Sequence, residues 1–406
     1  MKTLIKILAA LMFLTWVSCD EDDPPIVNGN PEYYIFTYQG LDNNPFGAGY
    51  GFFKVKPDSN SFIAERLNDY YPHYGWADGY ISFNRSGVCA FYCETGLQPA
   101  DAQSQVAYFT PEAPADVHFL PLPEKQTDYT WTISPQKPKV LSNGKIVVVM
   151  GIYTDYPYDD WHDEFVAVYD PATGLYDKSE SVSGFIFEQP EKGSDTELGS
   201  LNYNNFAVSP DETTVFLKAT GWGVEGGSIH LDARYIVAYN LASKQFSRVY
   251  YGDNEIYGAT PEKVYFRSTA GKTAAVDYHT LQEYPAVDDY PYDYYTFSRL
   301  TDMMVKSWRG SGLGSLTWNG TTYDWRHIIN TDKLNSATYA GLGGRASFNK
   351  DETMIYFAAS SDFYTNYASE FAVMRTPFIT ENPAPEQLFV MPKNFSTFFY
   401  YTDGKK

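Results

Sequence analysis

The sequence has few basic residues, few cysteines and little helical periodicity. Its 30 lysines and arginines stand against 50 aspartates and glutamates, so the formal net charge at pH 7 is −20. A nucleic-acid partner requires a basic face, and this charge therefore excludes one; it also disfavours adsorption to an anionic lipid surface. Beyond the N-terminal segment apolar residues do not recur at helical spacing, while tyrosine (36) and phenylalanine (27) are abundant. That combination is typical of an exported, globular, all-β chain.

Common catalytic motifs are also missing. The sequence contains no H-E-x-x-H zinc motif and no G-x-S-x-G nucleophile elbow. Ala270–Thr273 resembles the end of a phosphate-binding loop, but Phe266 occupies the position of its first glycine. A pair of carboxylates suited to glycoside hydrolysis cannot be chosen among so many acidic residues. We therefore expect a protein that is not an enzyme, with a hydrolase or lyase as the alternative from another class.

Only three cysteines are present, at positions 19, 89 and 93. Cys89 and Cys93 lie four residues apart in one predicted strand, so they would share a face at a separation of roughly 13 Å, too far for a disulfide. No metal-ligating residues lie near this pair in the sequence. We expect both to be buried free thiols.

The stretch from Tyr203 to Tyr250 predicts a four-stranded antiparallel meander. Apolar or alternating segments are separated by turn sequences, of which Ser209–Glu212 is the tightest. Proline presets φ in that turn, and serine or aspartate can form hydrogen bonds with the backbone across it. One sheet of this size cannot bury both faces, so several must pack around an axis. We interpret the stretch as one blade of a β-propeller.

The same pattern recurs along the chain. Arg345–Phe378 repeats it with an Asp351-Glu352-Thr353 turn, and looser copies begin at Ile81 and Lys139. Together with segments 54–67, 256–284 and 303–325, these copies give about seven units of about fifty residues each. We predict an all-β, seven-bladed propeller of four-stranded antiparallel blades, in one domain over residues 32–406. A terminal strand at Phe395–Thr402 is predicted to close the ring. A two-sheet sandwich is the alternative. The Ser-Pro-Asp-Glu turn before a strand resembles the repeat of TolB-like propellers, which implies the architecture and no particular activity.

The N-terminal segment predicts export and lipid anchoring. Lys2 and Lys6 flank the start of an apolar run, 7–17, that is too short for a permanent membrane helix. The run ends in Trp16-Val17-Ser18-Cys19, which resembles the cleavage box of bacterial lipoproteins. The resemblance implies a signal peptide over residues 1–18 and lipidation of Cys19. An ordinary secretory peptide is the alternative.

Residues 19–31 are predicted to form a flexible, acidic tether. Asp20-Glu21-Asp22-Asp23 directly behind the cysteine resembles the surface-export signal of Bacteroidetes lipoproteins. That resemblance implies an outer-membrane protein that faces the cell exterior. A periplasm-facing position is the alternative.

The propeller topology predicts two unlike faces. Connections between the second and third strands of a blade, and between blades, open on one face, and the remaining turns open on the other. Tight turns such as 210–212, 349–352, 143–144, 57–60 and 171–174 fall on one face, while aromatic inserts at 68–80, 153–164, 220–234, 284–296 and 360–370 fall on the other. Tyrosine and tryptophan give rigid binding surface with a polar group, so the second face is predicted to bind a ligand. The predicted ligand-binding residues are Tyr71, His73, Trp76, Tyr156, Tyr158, Trp161, His162, Trp222, Arg234, Tyr290, Tyr292, Tyr294, Arg345 and Tyr364.

Charged residues on these inserts give two weaker expectations. Asp159, Asp160, Asp163 and Glu164 could bind calcium through oxygen ligands, but the spacing of a calcium loop is absent, so we expect no cofactor and a solvated acidic rim. Cations gathered at the axial mouth would favour an anionic chelate as the ligand, whereas a trough of tryptophans would favour a glycan. The cations predicted near this face are Arg234, Arg299, Arg309, Arg345 and Lys306.

A lipid-anchored propeller with an aromatic face resembles the capture lipoproteins that work beside TonB-dependent outer-membrane transporters. In Bacteroidetes, propeller lipoproteins of this kind are associated with siderophore and cobalamin uptake. The resemblance implies a protein that binds a bulky nutrient, with an iron–siderophore or similar metal chelate as the leading ligand, and passes it to such a transporter. A glycan-binding protein of a polysaccharide-utilisation system is the alternative.

Overall fold

The computed structural model describes residues 32–40, 49–58, 61–71, 81–93, 96–102, 104–121, 129–133, 138–154, 162–179, 182, 186–187, 196–225, 228–252, 254–268, 270–288, 294–308, 312–330, 341–342, 346–360, 370–378, 385–392 and 395–402. Within these ranges the strands form seven separate antiparallel sheets. Across the same ranges we find no helix with the length and apolar character needed to cross a membrane. The chain is a seven-bladed β-propeller, as predicted.

The blades follow one another along the chain, and in blades 2, 3, 5, 6 and 7 the first strand is innermost. Blade 1 contains β1 (Glu32–Gly40), β2 (Gly49–Asp58) and β3 (Ser61–Asn68); blade 2 contains β4 (Ile81–Phe83), β5 (Cys89–Tyr92), β6 (Val106–Thr110) and β7 (Ala113–Phe119). Blade 3 contains β8 (Tyr129–Ile133) and β9 (Lys139–Val140), which share the innermost position, then β10 (Ile146–Thr154), β11 (His162–Asp170) and β12 (Leu175–Lys178). Blade 4 contains β13 (Ile186–Phe187), β14 (Thr196–Val208), β15 (Thr214–Glu225), β16 (Ser228–Asn240) and β17 (Gln245–Tyr251).

The remaining three blades complete the circle. Blade 5 contains β18 (Asn254–Ala259), β19 (Lys263–Ser268), β20 (Lys272–Asp277) and β21 (Glu283–Asp288); blade 6 contains β22 (Tyr294–Phe297), β23 (Met304–Trp308), β24 (Gly312–Trp318) and β25 (Tyr323–Asn330). Blade 7 contains β26 (Gly341–Leu342) and β27 (Ser347–Phe348) in the innermost position, then β28 (Met354–Ser360), β29 (Glu370–Pro377) and β30 (Glu386–Pro392). The last strand, β31 (Phe395–Thr402), is the innermost strand of blade 1.

The pairing of β31 with β1 closes the ring. Glu32 lies opposite Thr402 and Phe36 opposite Phe398, so the first and last strands of the chain share one sheet. This confirms the terminal strand predicted at Phe395–Thr402. Blade 1 is therefore built from both ends of the chain, which closes the ring.

Alternating residues along each strand pack against different neighbouring blades. In blade 4, Val215 and Leu217 join the apolar cluster shared with blade 3, whereas Phe216 joins the cluster shared with blade 5. Successive side chains of a strand point to opposite faces, so both faces are buried only where sheets pack on both sides. This packing explains why the strand is apolar at consecutive positions. The same arrangement gives seven clusters, one for each pair of neighbouring blades, among the described residues.

The predicted repeat turn has the same geometry in blades 4 and 7. Glu212 (φ 60°) and Glu352 (φ 56°) both take the left-handed conformation, and the amide of each donates a hydrogen bond to the carbonyl three residues before it. The side chains of Ser209 and Asn349 then accept from the amides of Thr214 and Met354, at 3.0 and 2.9 Å. These side chains satisfy backbone groups that the tight turn would leave unpaired.

The two internal cysteines are free thiols, as predicted. Cys89 begins β5 and Cys93 follows its end, and both side chains are fully buried in the cluster between blades 1 and 2. Burial raises the pKa of the Cys89 thiol well above its ordinary value. Both therefore act as small apolar core residues.

Candidate functional site

The strand order gives the ring a short-turn face and a long-connector face. The short-turn face carries the connections from first to second and from third to fourth strands, including 84–88, 209–213, 298–303 and 349–353. The long-connector face carries the other connections, including 69–80, 93–105, 155–161, 331–340 and 361–369. The predicted tight turns at 57–60, 143–144, 171–174, 210–212 and 349–352 all join strands at the short-turn face.

Most of the predicted ligand-binding residues fall on long connectors, outside the described residues. For three other predicted residues the backbone alone is described: His162 begins β11, Trp222 lies in β15 and Tyr294 begins β22. Tyr71 and Arg234 are described with their side chains. The residues outside the described ranges are His73, Trp76, Tyr156, Tyr158, Trp161, Tyr290, Tyr292, Arg345 and Tyr364, together with the lipidation candidate Cys19.

Tyr71 lies directly after blade 1, at the long-connector face. Its side chain is only 5% exposed, and its ring contacts that of Tyr50 with the centroids 5.1 Å apart. Tyr50 belongs to β2 of the same blade. The Tyr71 ring therefore attaches the start of the 69–80 connector to the body of the blade.

The insert predicted as a loop from Thr220 to Arg234 is instead a pair of strands. Thr220 pairs with Arg234 and Glu225 with Ser228, so β15 and β16 stay paired as far as these last two residues, with an irregularity in register at Trp222. The loop prediction is wrong because glycines at 221 and 223 make the segment look like a loop in sequence, while the register already set by the blade continues through it.

Glu164, a weak candidate for calcium, is a buried carboxylate between blades 3 and 4. It is 3% exposed, and its Oε2 accepts a hydrogen bond from the backbone amide of Leu201 in β14. Burial raises the pKa of Glu164 to about 7, although the Leu201 hydrogen bond opposes the shift. Among the described residues no three histidine, cysteine or acidic side chains approach closely enough to hold a metal ion. Asp159 and Asp160 lie outside those residues, and of Asp163 only the backbone, in β11, is described.

A cavity of about 400 Å³ lies on the axis at the short-turn end of the ring. The innermost strands of blades 2 to 7 and the turns that follow them form its walls. Six of the lining residues that the structure describes are aromatic: Phe83, Phe206, Tyr257, Tyr295, Phe297 and Phe348. Five of the same described lining residues are charged: Arg85, Lys139, Glu212, Arg299 and Glu352.

Charged contacts tie the turns around this cavity together. Arg299 of blade 6 donates to Glu212 of blade 4 at 3.0 Å, and Glu212 also accepts from the amide and hydroxyl of Ser142 in blade 3 at 2.9 and 2.6 Å. Glu352 of blade 7 accepts from the Arg299 amide at 2.6 Å and from the Ser298 hydroxyl. The two glutamates in left-handed turns therefore each bind the turn of the preceding blade.

The structure moves two predicted cations away from the long-connector face. Arg299 lies at the short-turn face, because residues 298–303 join β22 to β23. The tyrosine-rich sequence predicts a connector between blades over 284–296, which places Arg299 near the long-connector face instead. Lys306 is 1% exposed inside blade 6, with its ammonium 5.6 Å from the centroid of the Tyr295 ring. Arg234 belongs to β16, and Arg309 and Arg345 lie outside the described residues.

Sequence reasoning missed the axial residues, although a short repeat marks them. Phe-Asn-Arg at 83–85, Phe-Ser-Arg at 297–299 and Phe-Asn-Lys at 348–350 each end an innermost strand. In all three copies the phenylalanine lines the axial cavity. In two of them the cation does so as well, and Lys350 is exposed. The repeat could have located the axis.

No protein-family model matches the sequence, and the comparison with curated proteins gave no match. Among solved structures, the Dos1 propeller is similar at a TM-score of 0.44 and 8% identity, covering 84% of this chain and 78% of that one. A puromycin-hydrolysing peptidase of Mycobacterium tuberculosis is similar at a TM-score of 0.39 and 11% identity, covering 88% and 53%. An acylaminoacyl peptidase of Pyrococcus horikoshii is similar at a TM-score of 0.35 and 9% identity, covering 63% and 39%. The assignment of the fold rests on the seven sheets of the chain itself.

The peptidases among these structures contradict the expectation that the chain is not an enzyme, and that expectation is withdrawn. The chain spans about half the length of the puromycin-hydrolysing peptidase. At these identities and TM-scores the likenesses assign no activity to the chain.

Proposed function

We propose that the protein is a lipid-anchored protein of the outer-membrane surface that captures a bulky nutrient on its long-connector face and passes it to a TonB-dependent transporter. An iron–siderophore or similar metal chelate is the leading ligand. The observation that carries the proposal is the division between the two faces, because long aromatic connectors held by a rigid ring form an adaptable binding surface. The acidic run behind Cys19, which resembles the surface-export signal of Bacteroidetes lipoproteins, supports the location.

The position of the first and last strands supports an orientation in which the long-connector face points away from the membrane. β1 begins and β31 ends at the short-turn face, where Glu32 pairs with Thr402. A lipid on Cys19 would therefore hold the ring through residues 19–31 from its short-turn side. A segment of this length reaches roughly 45 Å when fully extended. The long connectors would then be directed away from the membrane and toward incoming ligand.

Calorimetry with ferric catecholate siderophores on the full-length protein tests the proposal. We expect saturable binding, and the variants Trp161→Ala and Trp222→Ala should each weaken it by about 1–3 kcal/mol, because buried aromatic anchors dominate such interfaces. Leu300→Ala is the control, since Leu300 is 61% exposed on the short-turn face. A ligand screen that includes haem, cobalamin and polysaccharides accompanies the measurement. Binding of polysaccharides and of no chelate would replace the ligand class with glycans, and affinity unchanged in both tryptophan variants would remove them from the site.

A further inference from the structure

Three polar side chains between blades 6 and 7 carry buried atoms that have no hydrogen-bond partner among the described residues. These atoms are Ser315 Oγ of β24, Arg326 Nε of β25 and Thr376 Oγ1 of β29. Ser315 is 1% exposed and Thr376 is 0% exposed. Leaving a buried polar group unpaired is costly, and most such groups in folded proteins do have a partner. The three atoms therefore point to a small ligand between the two blades.

The register of the strands brings these groups to one place. Ser315 lies directly opposite Arg326 in the pairing of β24 with β25, so their side chains project from the same face of blade 6. Leu313, two residues before Ser315, belongs to the apolar cluster between blades 6 and 7, so this face is the one toward blade 7. Across the interface, Arg326 Nη2 donates to the Phe378 carbonyl at 2.9 Å, two residues beyond Thr376.

Thr376 projects into the same interface from the side of blade 7. It lies opposite Ile355 in the pairing of β29 with β28, and Ile355 belongs to the cluster shared with blade 6. Met374, two residues before Thr376, belongs to that cluster as well. The two hydroxyls and the guanidinium therefore approach one another from both sides of the interface.

The guanidinium has no counter-charge in the part of the chain that the structure describes. Arg326 is half-buried and forms no ion pair there, and Asp324, the carboxylate of the same strand, accepts instead from the Asn319 side chain at 2.9 Å. Arginine stays charged, and a charge that is partly removed from water is unfavourable unless an opposite charge compensates it. Hydroxyls rotate, so those of Ser315 and Thr376 can donate to the same ligand as Arg326 Nε. Three donors around one cation favour an anion over a water molecule, because water leaves the charge uncompensated.

From these contacts we infer that a halide ion, chloride under ordinary conditions, binds between blades 6 and 7. The ion accepts from the hydroxyls of Ser315 and Thr376 and from Arg326 Nε, while Arg326 Nη2 keeps its bond to the Phe378 carbonyl. It links the third and fourth strands of blade 6 to the third strand of blade 7 and so stabilises the ring. None of its ligands lines the axial cavity, and the site does not rest on the proposed function.

Thermal unfolding of the full-length protein in two sodium salts tests the inference. We expect a melting temperature about 2–4 °C higher in about 300 mM sodium chloride than in sodium methanesulfonate at the same concentration, because an ion that binds only the folded state stabilises it. Methanesulfonate has the same charge on a larger body, so it matches the ionic strength but does not fit between packed strands. Equal melting temperatures in the two salts would overturn the inference.

A matched pair of charge-removing variants locates the site. Arg326→Gln should abolish the difference between the two salts. Arg375→Gln should keep it, because Arg375 precedes Thr376 in β29, projects from the opposite face and pairs with Glu386 at 2.7 Å. Differences of equal size in the two variants would place the chloride effect elsewhere on the protein and contradict the inference.

Crystals of the wild-type protein grown in sodium bromide decide the question if Arg326→Gln does not fold. Bromide replaces chloride and scatters anomalously. An anomalous peak should lie within hydrogen-bond distance of the side chains of Ser315, Arg326 and Thr376. A water molecule or a protein carboxylate at this place, with no anomalous peak, would rule out the halide site.

Discussion

Replacing Glu164 by glutamine should make the folded protein more stable at neutral and alkaline pH. The Glu164 carboxyl is 3% exposed, and burial raises its pKa from 4.5 to about 7. A group whose pKa is higher in the folded state stabilises the fold fully below its unfolded pKa, and this stabilisation is lost as the pH rises through its folded pKa. The difference in pKa corresponds to about 3 kcal/mol between pH 4.5 and values above 7.

Glutamine keeps an oxygen that can accept from the Leu201 amide and carries no charge to bury. The free energy of unfolding of Glu164→Gln should therefore match that of the wild type near pH 4.5 and exceed it by about 3 kcal/mol above pH 7.5. Urea titrations of both proteins at a series of pH values, followed by tryptophan fluorescence, measure this difference. Glu65→Gln, at an exposed position of β3, is the control and should change the free energy of unfolding at pH 8 by no more than about 0.5 kcal/mol. A flat difference for Glu164→Gln, or a loss of stability at pH 8, would refute the argument from burial.

Three further changes test other parts of the structure. Cys19→Ala should release the protein from the membrane fraction of the producing cell, because the proposed lipid is then absent; retention in that fraction contradicts lipidation. Gly258→Ala should destabilise the ring by about 1–3 kcal/mol or more, since its Cβ would lie 2.2 Å from the Phe297 ring; an unchanged melting temperature would show that blades 5 and 6 can separate at this point. Glu352→Ala should cost about 1–3 kcal/mol in urea unfolding, because it leaves the Arg299 amide and the neighbouring hydroxyl without their acceptor; Glu352→Gln should recover part of the loss, and equal losses in the two variants would count against the hydrogen bonds.

The sequence predicted the parts of the fold that depend on local patterns. The Ser209–Glu212 turn and its copy before Thr353 each combine a side-chain acceptor with a residue that adopts a left-handed conformation, and both precede apolar strands. The closing strand at Phe395–Thr402 was predicted because a strand-like segment remained after the last complete unit. These features need only a few neighbouring residues to be recognised.

The features that the sequence did not predict depend on pairing between distant segments. The pairing of β15 with β16 beyond Thr220 continues the register that begins at Thr214 and Asn240. The glycines at 221 and 223 make this extension look like a loop in the sequence. Tyr294–Phe297 continues a tyrosine-rich connector without a change in composition, so the start of blade 6 and the face of Arg299 were assigned incorrectly. The axial cavity forms where the innermost strands of several blades meet, so only a comparison of the short repeats at 83–85, 297–299 and 348–350 could have indicated it.

Hydrogen–deuterium exchange of the full-length protein with and without a ferric catecholate siderophore tests most directly whether the long-connector face binds the ligand. The account predicts slower exchange on ligand addition in peptides that cover 69–80, 155–161 and 289–293, with the short turns at 209–213 and 349–353 unchanged. Protection confined to the short turns, or exchange that the ligand leaves unaltered throughout the chain, would contradict it.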